Sequence, residues 1–212
     1  MHRMELNDSE LMQRVCGGDE DAFAVIVERY KDPLVNYLTH MVRSRERAED
    51  VAQEAFVRLY RNAERYQQAE KLAPYLFRIA TNHTISEMRR EKRWRLLMPR
   101  LVAGSSKSAP APDASLMSDE VQQKVRAALE KLPLKFRAPL ALYEIEEWSY
   151  DDIARAMECR IGTVKSRIAR ARELMRRQLA GWWIGGDGYE RHRTEQRAQA
   201  SAAHERVATL HL

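Results

Sequence analysis

Residues 99–115 read PRLVAGSSKSAPAPDAS, and this stretch limits the chain more than any other. It is rich in Ser, Ala and Pro and has little to bury. Pro110 and Pro112 favour extended backbone. One core cannot run through such a segment, so the sequence predicts two units with a linker between them. On either side of it, apolar residues recur at helical spacing and strand signals are nearly absent. Hydrophobic residues make up 44% of the 212 and charged residues 32%, which suits small helical units with wide solvated faces. The expected fold class is all-α.

The first half divides into four helical stretches. Asn7, Asp8 or Ser9 can cap a helix carrying Leu11, Met12 and Val15, which Gly17-Gly18 ends. Asp19 starts a second with Phe23, Ile26, Val27 and Tyr30, and Asp32-Pro33 reads as a fresh start or a kink before Leu34, Tyr37, Leu38 and Met41. AEDVAQEAFVRLYRNAERY follows a charged break. A further helix begins near Pro74 and runs to about Trp94. At ~100° per residue its Arg78, Asn82, Ser86, Arg89 and Arg93 share one face, with Leu76, Ala80, Thr84 and Met88 on other sides. After the linker, Ser118 caps a helix with Val125, Leu129 and Leu132. Pro133 interrupts it, and another holds Phe136, Leu140, Leu142 and Ile145.

The next segment, SYDDIARAMECRIGTVKSRIARARELMRR, carries the sharpest signal. Ser149 and Asp152 have capping-box spacing, so a helix starts there. Residues 158–161 form a turn, and Gly162 and Thr163 open a second helix. In that helix Val164, Ile168, Ala171 and Met175 form one apolar stripe. Lys165, Ser166, Ala169 and Arg170 face away from it, and Arg167 and Arg172 flank it. Two helices joined by a short turn are the helix-turn-helix arrangement, whose second helix reads base edges in the major groove. Lys165 and Arg170 can pair with guanine, Thr163 and Ser166 can hydrogen-bond, and the flanking Arg167 and Arg172 can hold phosphates.

Charge and composition exclude other classes. A net charge of +5 and a pI near 9.3 favour a polyanionic partner. The six histidines, His2, His40, His83, His192, His204 and His211, lack metal-ligand spacing, and Cys16 and Cys159 are far apart in sequence. No P-loop, GxSxG or dinucleotide fingerprint is present, so no enzyme activity, cofactor, metal or small-molecule substrate is expected. No apolar run approaches the ~20 residues of a membrane span, and MHRMELNDSE has no apolar signal core. A cytoplasmic protein is the expectation.

LEKLPLKFRAPLALYEIEEWSYDDIARAMECRIGTVKSRIARAREL resembles the C-terminal DNA-binding domain of bacterial sigma factors, above all the extracytoplasmic-function (ECF) group. The resemblance implies a subunit that binds core RNA polymerase and directs promoter-specific initiation. Two positions depart from the family pattern: Glu158 stands where Gly is usual and Arg160 where Pro is usual. In the first half, AEDVAQEAFVRLYR resembles the helix that such proteins press against the polymerase clamp. The resemblance implies contacts from Asp50, Gln53, Glu54 and Phe56, with Phe56 among the packing residues beside Val51, Ala55 and Leu59. APYLFRIATNHTISEMRREKR resembles the helix that engages the promoter −10 element, which assigns Tyr75, Arg78, Asn82, Ser86, Arg89 and Arg93 to DNA. Asn82 matches a position near a flipped base, Tyr75 stands where Trp is more frequent, and residues 62–72 correspond to the base-pocket loop. By the same resemblance, Thr163, Lys165, Ser166, Arg167, Arg170 and Arg172 read the −35 element.

The expected layout is thus a first helical domain at 8–95, a linker at 96–117, a second domain with the helix-turn-helix at 118–180, and an extension at 181–212 that includes Trp182, Trp183 and Ile184. Elements centred near −10 and −35 lie roughly 85 Å apart at ~3.4 Å per base pair. About 20 linker residues span at most ~70 Å, so the linker must run nearly extended for both to be read at once. The expected partners are core RNA polymerase, promoter DNA and an anti-sigma factor, the last implied by the resemblance alone. The alternative is a stand-alone helix-turn-helix regulator, which has no need of the AEDVAQEAF stretch.

Overall fold

The helical spacing is realised as eight α-helices and one 3-10 turn in the computed structural model, which describes residues 6–66, 71–97 and 118–180. The expected linker, from residue 98 on, and the extension from 181 lie outside the described residues. No strand occurs among the described residues.

Local chemistry sets the helix ends. Of the three possible caps for α1 (Asp8–Cys16), Asn7 is used. Its side chain accepts from the Glu10 N–H at 3.0 Å and the Glu10 carboxylate accepts from the Asn7 N–H at 2.9 Å, a complete capping box. Asp19 caps α2 (Glu20–Val42) by accepting from the Ala22 N–H. Of the two readings offered at Pro33, the fresh start does not occur: α2 continues through it as one helix. Proline removes one helical hydrogen bond, but Leu34, Val35, Tyr37, Leu38 and Met41 beyond it are all buried, and that burial outweighs the loss. Ser44 caps α3 (Arg45–Arg61), and a 3-10 turn follows at Ala63–Arg65. Helix α4 (Leu72–Leu97) starts two residues before Pro74, so the proline sits in the first turn, where its missing N–H has no helical acceptor.

In the second half, α5 (Ser118–Lys131), α6 (Leu134–Glu144), α7 (Tyr150–Ala156) and α8 (Ile161–Leu179) follow in order. Ser149 caps α7, accepting from the Asp152 N–H at 3.1 Å. Leu129, Leu132, Leu140, Leu142 and Ile153 pack with Val164, Ile168 and Ala171 of α8. In the first half, Ile26 and Tyr37 of α2, Ala55 and Leu59 of α3 and Leu76 and Phe77 of α4 are buried together, each large side chain contributing about 1.5–3 kcal/mol.

Residues up to Met175 form one compact unit. The second unit begins at Arg176, and of it only 176–180, the end of α8 and the residue after it, are described. Within the first unit the two halves touch. Helix α7 lies against α4 and α6 against α2. The Phe77 and Trp148 rings are 4.7 Å apart, and Asn36 donates to the Glu146 carboxylate at 2.9 Å. Arg137 of α6 is the staple: only 3% exposed, it donates to the Met41 carbonyl of α2 at 3.0 Å and to the carbonyls of Leu132 and Glu130. Burial, and then the neighbouring Arg43, push its pKa down to about 10, so it stays cationic at neutral pH.

Candidate nucleic-acid interface

Helix α8 presents the face its sequence predicted. Val164, Ile168 and Ala171 are buried, whereas Lys165, Ser166, Ala169 and Arg170 are exposed. The helix begins one residue earlier than expected, at Ile161, with the Arg160 carbonyl accepting from the N–H groups of Thr163 and Val164. Ser166 donates to the Thr163 carbonyl, which leaves its hydroxyl oxygen free to accept. Arg170 is half exposed and paired with Glu173 at 2.6 Å, on the surface. The two flanking arginines are more committed. Arg167 lies 3.8 Å from the Cys159 sulfur, and Arg172 is bound through two nitrogens to one Glu144 oxygen at 2.8 and 2.6 Å.

The turn before α8 closes although it lacks glycine. The Cys159 N–H reaches the Ala154 carbonyl and the Glu158 N–H reaches that of Arg155, the paired bonds of a Schellman ending. That motif needs a left-handed residue at position 158, and Glu158 supplies it at φ 46°. A side chain there costs on the order of 1 kcal/mol relative to glycine.

Helix α4 carries the second face. Asn82, Ser86, Arg89 and Arg93 are exposed on one side, Arg78 is half-buried, and Leu76, Ala80 and Thr84 are buried opposite. Tyr75 is fixed between two neighbours: Tyr66 meets it edge-on at 5.5 Å, and the Arg78 guanidinium stands 4.9 Å from its ring centroid. The loop expected to form a base pocket is described at 62–66 and 71–72 only; 67–70 lie outside the described residues.

On α3, Asp50 and Gln53 are exposed and Glu54 is half-buried. Arg58 donates to the Glu54 carboxylate at 2.7 Å, and that bond holds its pKa below the ordinary carboxylate range. Phe56 points the other way. It is 6% exposed and meets Phe23 edge-on, so it supports the acidic face from beneath and does not form part of it.

Sequence reasoning does not foresee how α4 meets the helix-turn-helix half. Asn82 and Arg89 of α4 line one groove of about 620 Å³ with Lys135 of α6, Met157 at the end of α7 and Arg167 of α8. Tyr75 and Arg78 line a second with Glu158 and Arg160 of the turn. Arg78 lies 3.4 Å from the Glu158 carboxylate, and Lys71 is 2.9 Å from Asp152. Burial alone would raise the Asp152 pKa, but Lys71 and Ser149 together bring it below the usual value. No sequence pattern announces these two ion pairs, since each joins residues more than 75 positions apart. Among the described residues, no cluster of His, Cys, Asp or Glu is suited to a metal ion, and no helix is long and apolar enough to cross a membrane.

A helical chain whose second half is a helix-turn-helix with an outward cationic face is a DNA-binding protein. Residues 26–94 match the family Sigma-70 region 2, and residues 122–175 match Sigma-70, region 4. The chain is 36% identical over 185 residues to the ECF RNA polymerase sigma factor SigW of Bacillus subtilis, covering 83% of this chain and 98% of that one. It is 33% identical over 180 residues to the RNA polymerase sigma-H factor of Pseudomonas aeruginosa, covering 81% and 93%. Among solved structures it is similar to the sigma factor RpoE of Bartonella quintana, determined with the anti-sigma factor NepR (TM-score 0.61, 25% identity, 74% and 96% covered). The chain belongs to the sigma-70 family, in its ECF group: a non-enzymatic sigma factor that directs transcription initiation with RNA polymerase.

Proposed function

We propose that three faces divide the work of this sigma factor. The outer side of α3, with Asp50, Gln53 and Glu54, docks on core polymerase. Tyr75, Arg78, Asn82, Ser86, Arg89 and Arg93 of α4 hold −10 DNA. On α8, Thr163, Lys165, Ser166 and Arg170 read the −35 duplex while Arg167 and Arg172 steady it. The first domain is taken as 8–95, the linker as 96–117, the second domain as 118–180 and the extension as 181–212. The protein works in the cytoplasm, where its polymerase is, and an anti-sigma factor restrains it, as NepR is bound to the Bartonella relative.

The observation that carries this reading is the alignment of Asn82, Ser86, Arg89 and Arg93 on one helix and of Lys165, Ser166 and Arg170 on another, all exposed. Cations can track phosphates on both, and each also has a group able to hydrogen-bond a base. The acidic face of α3 supports a polymerase subunit over a free regulator. The two halves touch in this structure, whereas promoter elements lie roughly 85 Å apart, so the halves must separate on the polymerase. Run-off transcription with purified core polymerase on genomic DNA, followed by start-site mapping, tests the assignment. Start sites sharing two motifs about two and a half helical turns apart are expected. Tight, specific binding of the isolated chain to promoter duplex without polymerase would overturn it.

A further inference from the structure

Two tyrosines behind the reading helix have no role in the division of work above. Tyr143, near the end of α6, and Tyr150, the first residue of α7, lie ring on ring, with centroids 4.9 Å apart and planes 5° from parallel. Each ring holds one cation of α8. The Lys165 ammonium is 5.6 Å from the Tyr150 centroid, and the Arg172 guanidinium is 5.1 Å from that of Tyr143. Lys165 and Arg172 are seven residues apart, close to two helical turns, so they fall on one side of α8 at a separation of ~10.5 Å along its axis. A stack of two rings fits beside a pair so spaced.

We propose that the Tyr143–Tyr150 stack is a positioning element for −35 recognition, with Tyr150 setting the direction and reach of Lys165 and Tyr143 those of Arg172. The proposal rests on the reading of α8 as the −35 helix. The apolar stripe of Val164, Ile168 and Ala171 is the part of α8 that is fully buried, and the two rings pack partly buried beside it. What the stripe does not fix is a long, exposed lysine side chain, which loses its rotamer freedom only when something outside the core holds it. An electron-rich ring face does this without neutralising the charge, so the ammonium remains available to a phosphate or a guanine edge. Arg172 is treated differently: it has the ring of Tyr143 and the Glu144 carboxylate, so it reaches DNA with part of its charge already answered. Among the described residues Lys165 meets the Tyr150 ring and no carboxylate, and it therefore carries more of the binding.

The test uses the full chain assembled with core polymerase, and reads promoter affinity over a range of salt concentrations for four variants. Lys165→Ala should weaken binding and make the salt dependence shallower by about one unit of slope. Tyr150→Leu should weaken binding about 2- to 5-fold, and Tyr150→Phe, which keeps the ring face, should restore it. In a Lys165→Ala background, Tyr150→Leu should add nothing further. Assembly with core polymerase serves as the folding control for each variant. Losses from Tyr150→Leu and Lys165→Ala that multiply, or a Tyr150→Phe variant as weak as Tyr150→Leu, would overturn the positioning role. A Lys165→Ala variant with unchanged affinity and slope would overturn instead the reading of α8 on which the proposal rests.

Discussion

Helices α4 and α8 both carry an outward stripe of polar and cationic residues, yet their surroundings differ. The face of α8 is built within its own half, since Glu173, Glu144, Tyr143 and Tyr150 all belong to the domain that α8 completes. The N-terminal part of the α4 face is shared with the other half: Arg78 meets Glu158, and Asn82 and Arg89 border a groove whose far side is Lys135, Met157 and Arg167. A face supported from within can bind in any arrangement of the halves. One that borders its partner domain is exposed yet walled on one side, and it opens fully to a DNA strand once the halves part. The difference makes α4 the conditional arm, and it gives the polymerase a physical task, holding the halves apart.

The sharpest way to break this comparison is to remove that task. Glu54 lies on the face of α3 and is paired with Arg58 of its own helix, so Glu54→Lys reverses a contact charge without disturbing the core. Like charges facing across an interface weaken association strongly, and binding of core polymerase should fall by roughly 100-fold or more. Transcription should fall with it at every promoter, because both arms depend on the assembled enzyme. Unchanged association in a pull-down or titration would count against α3 as the docking face.

The second largest effect concerns the joint between the halves. Arg137→Ala leaves the Met41 and Leu132 carbonyls without their charged donor and should destabilise the chain by about 2–4 kcal/mol in urea denaturation. A shift under about 0.5 kcal/mol would show that α6 is not held on α2 by this residue. On the α8 side, Arg170→Ala removes an exposed group paired with Glu173 at the surface, so stability should barely change. Promoter affinity should instead drop by about 1–3 kcal/mol at a single −35 position, measured on a set of single-base variants. A loss equal across all sequences would make Arg170 a phosphate contact.

These two arginines also show what was legible in the sequence. Arg170 was readable because helical periodicity says which residues face away from a stripe, and exposure follows from that alone. The same logic placed Asn82, Ser86, Arg89 and Arg93 correctly on the outer side of α4 and the stripe of α8 inside. Arg137 was not readable as a staple, because its acceptors are backbone carbonyls, one of them 96 residues away, and carbonyls leave no trace in side-chain pattern. The fresh start at Pro33 fails for a related reason: its local cost is visible in the sequence, whereas the burial beyond it that overrides that cost is a property of the packed helices. Phe56, expected among the packing residues of its stretch, is buried as such, so one short motif holds both an exposed face and the residues beneath it.

The smallest expected effect tests the departure in the turn. Glu158 occupies a left-handed position at φ 46° and spends its carboxylate on Arg78. The ion pair, with Glu158 largely exposed, is worth at most about 1 kcal/mol, and the backbone strain of a non-glycine residue costs a similar amount. In Glu158→Gly the two changes nearly cancel, and stability should move by less than about 1 kcal/mol in either direction. The informative readout is therefore the separation of the halves. Losing the Arg78 contact should raise the mean distance between a donor dye on α2 and an acceptor on α8 in the free chain, while the −35 motif stays the same. If distance and motif are both unchanged, the turn does not help to cover α4, and the contrast between the two arms rests on the Phe77–Trp148 and Lys71–Asp152 contacts. If the motif shifts while the distance does not, the left-handed Glu158 tunes the angle of α8, and α8 is then not the self-contained arm.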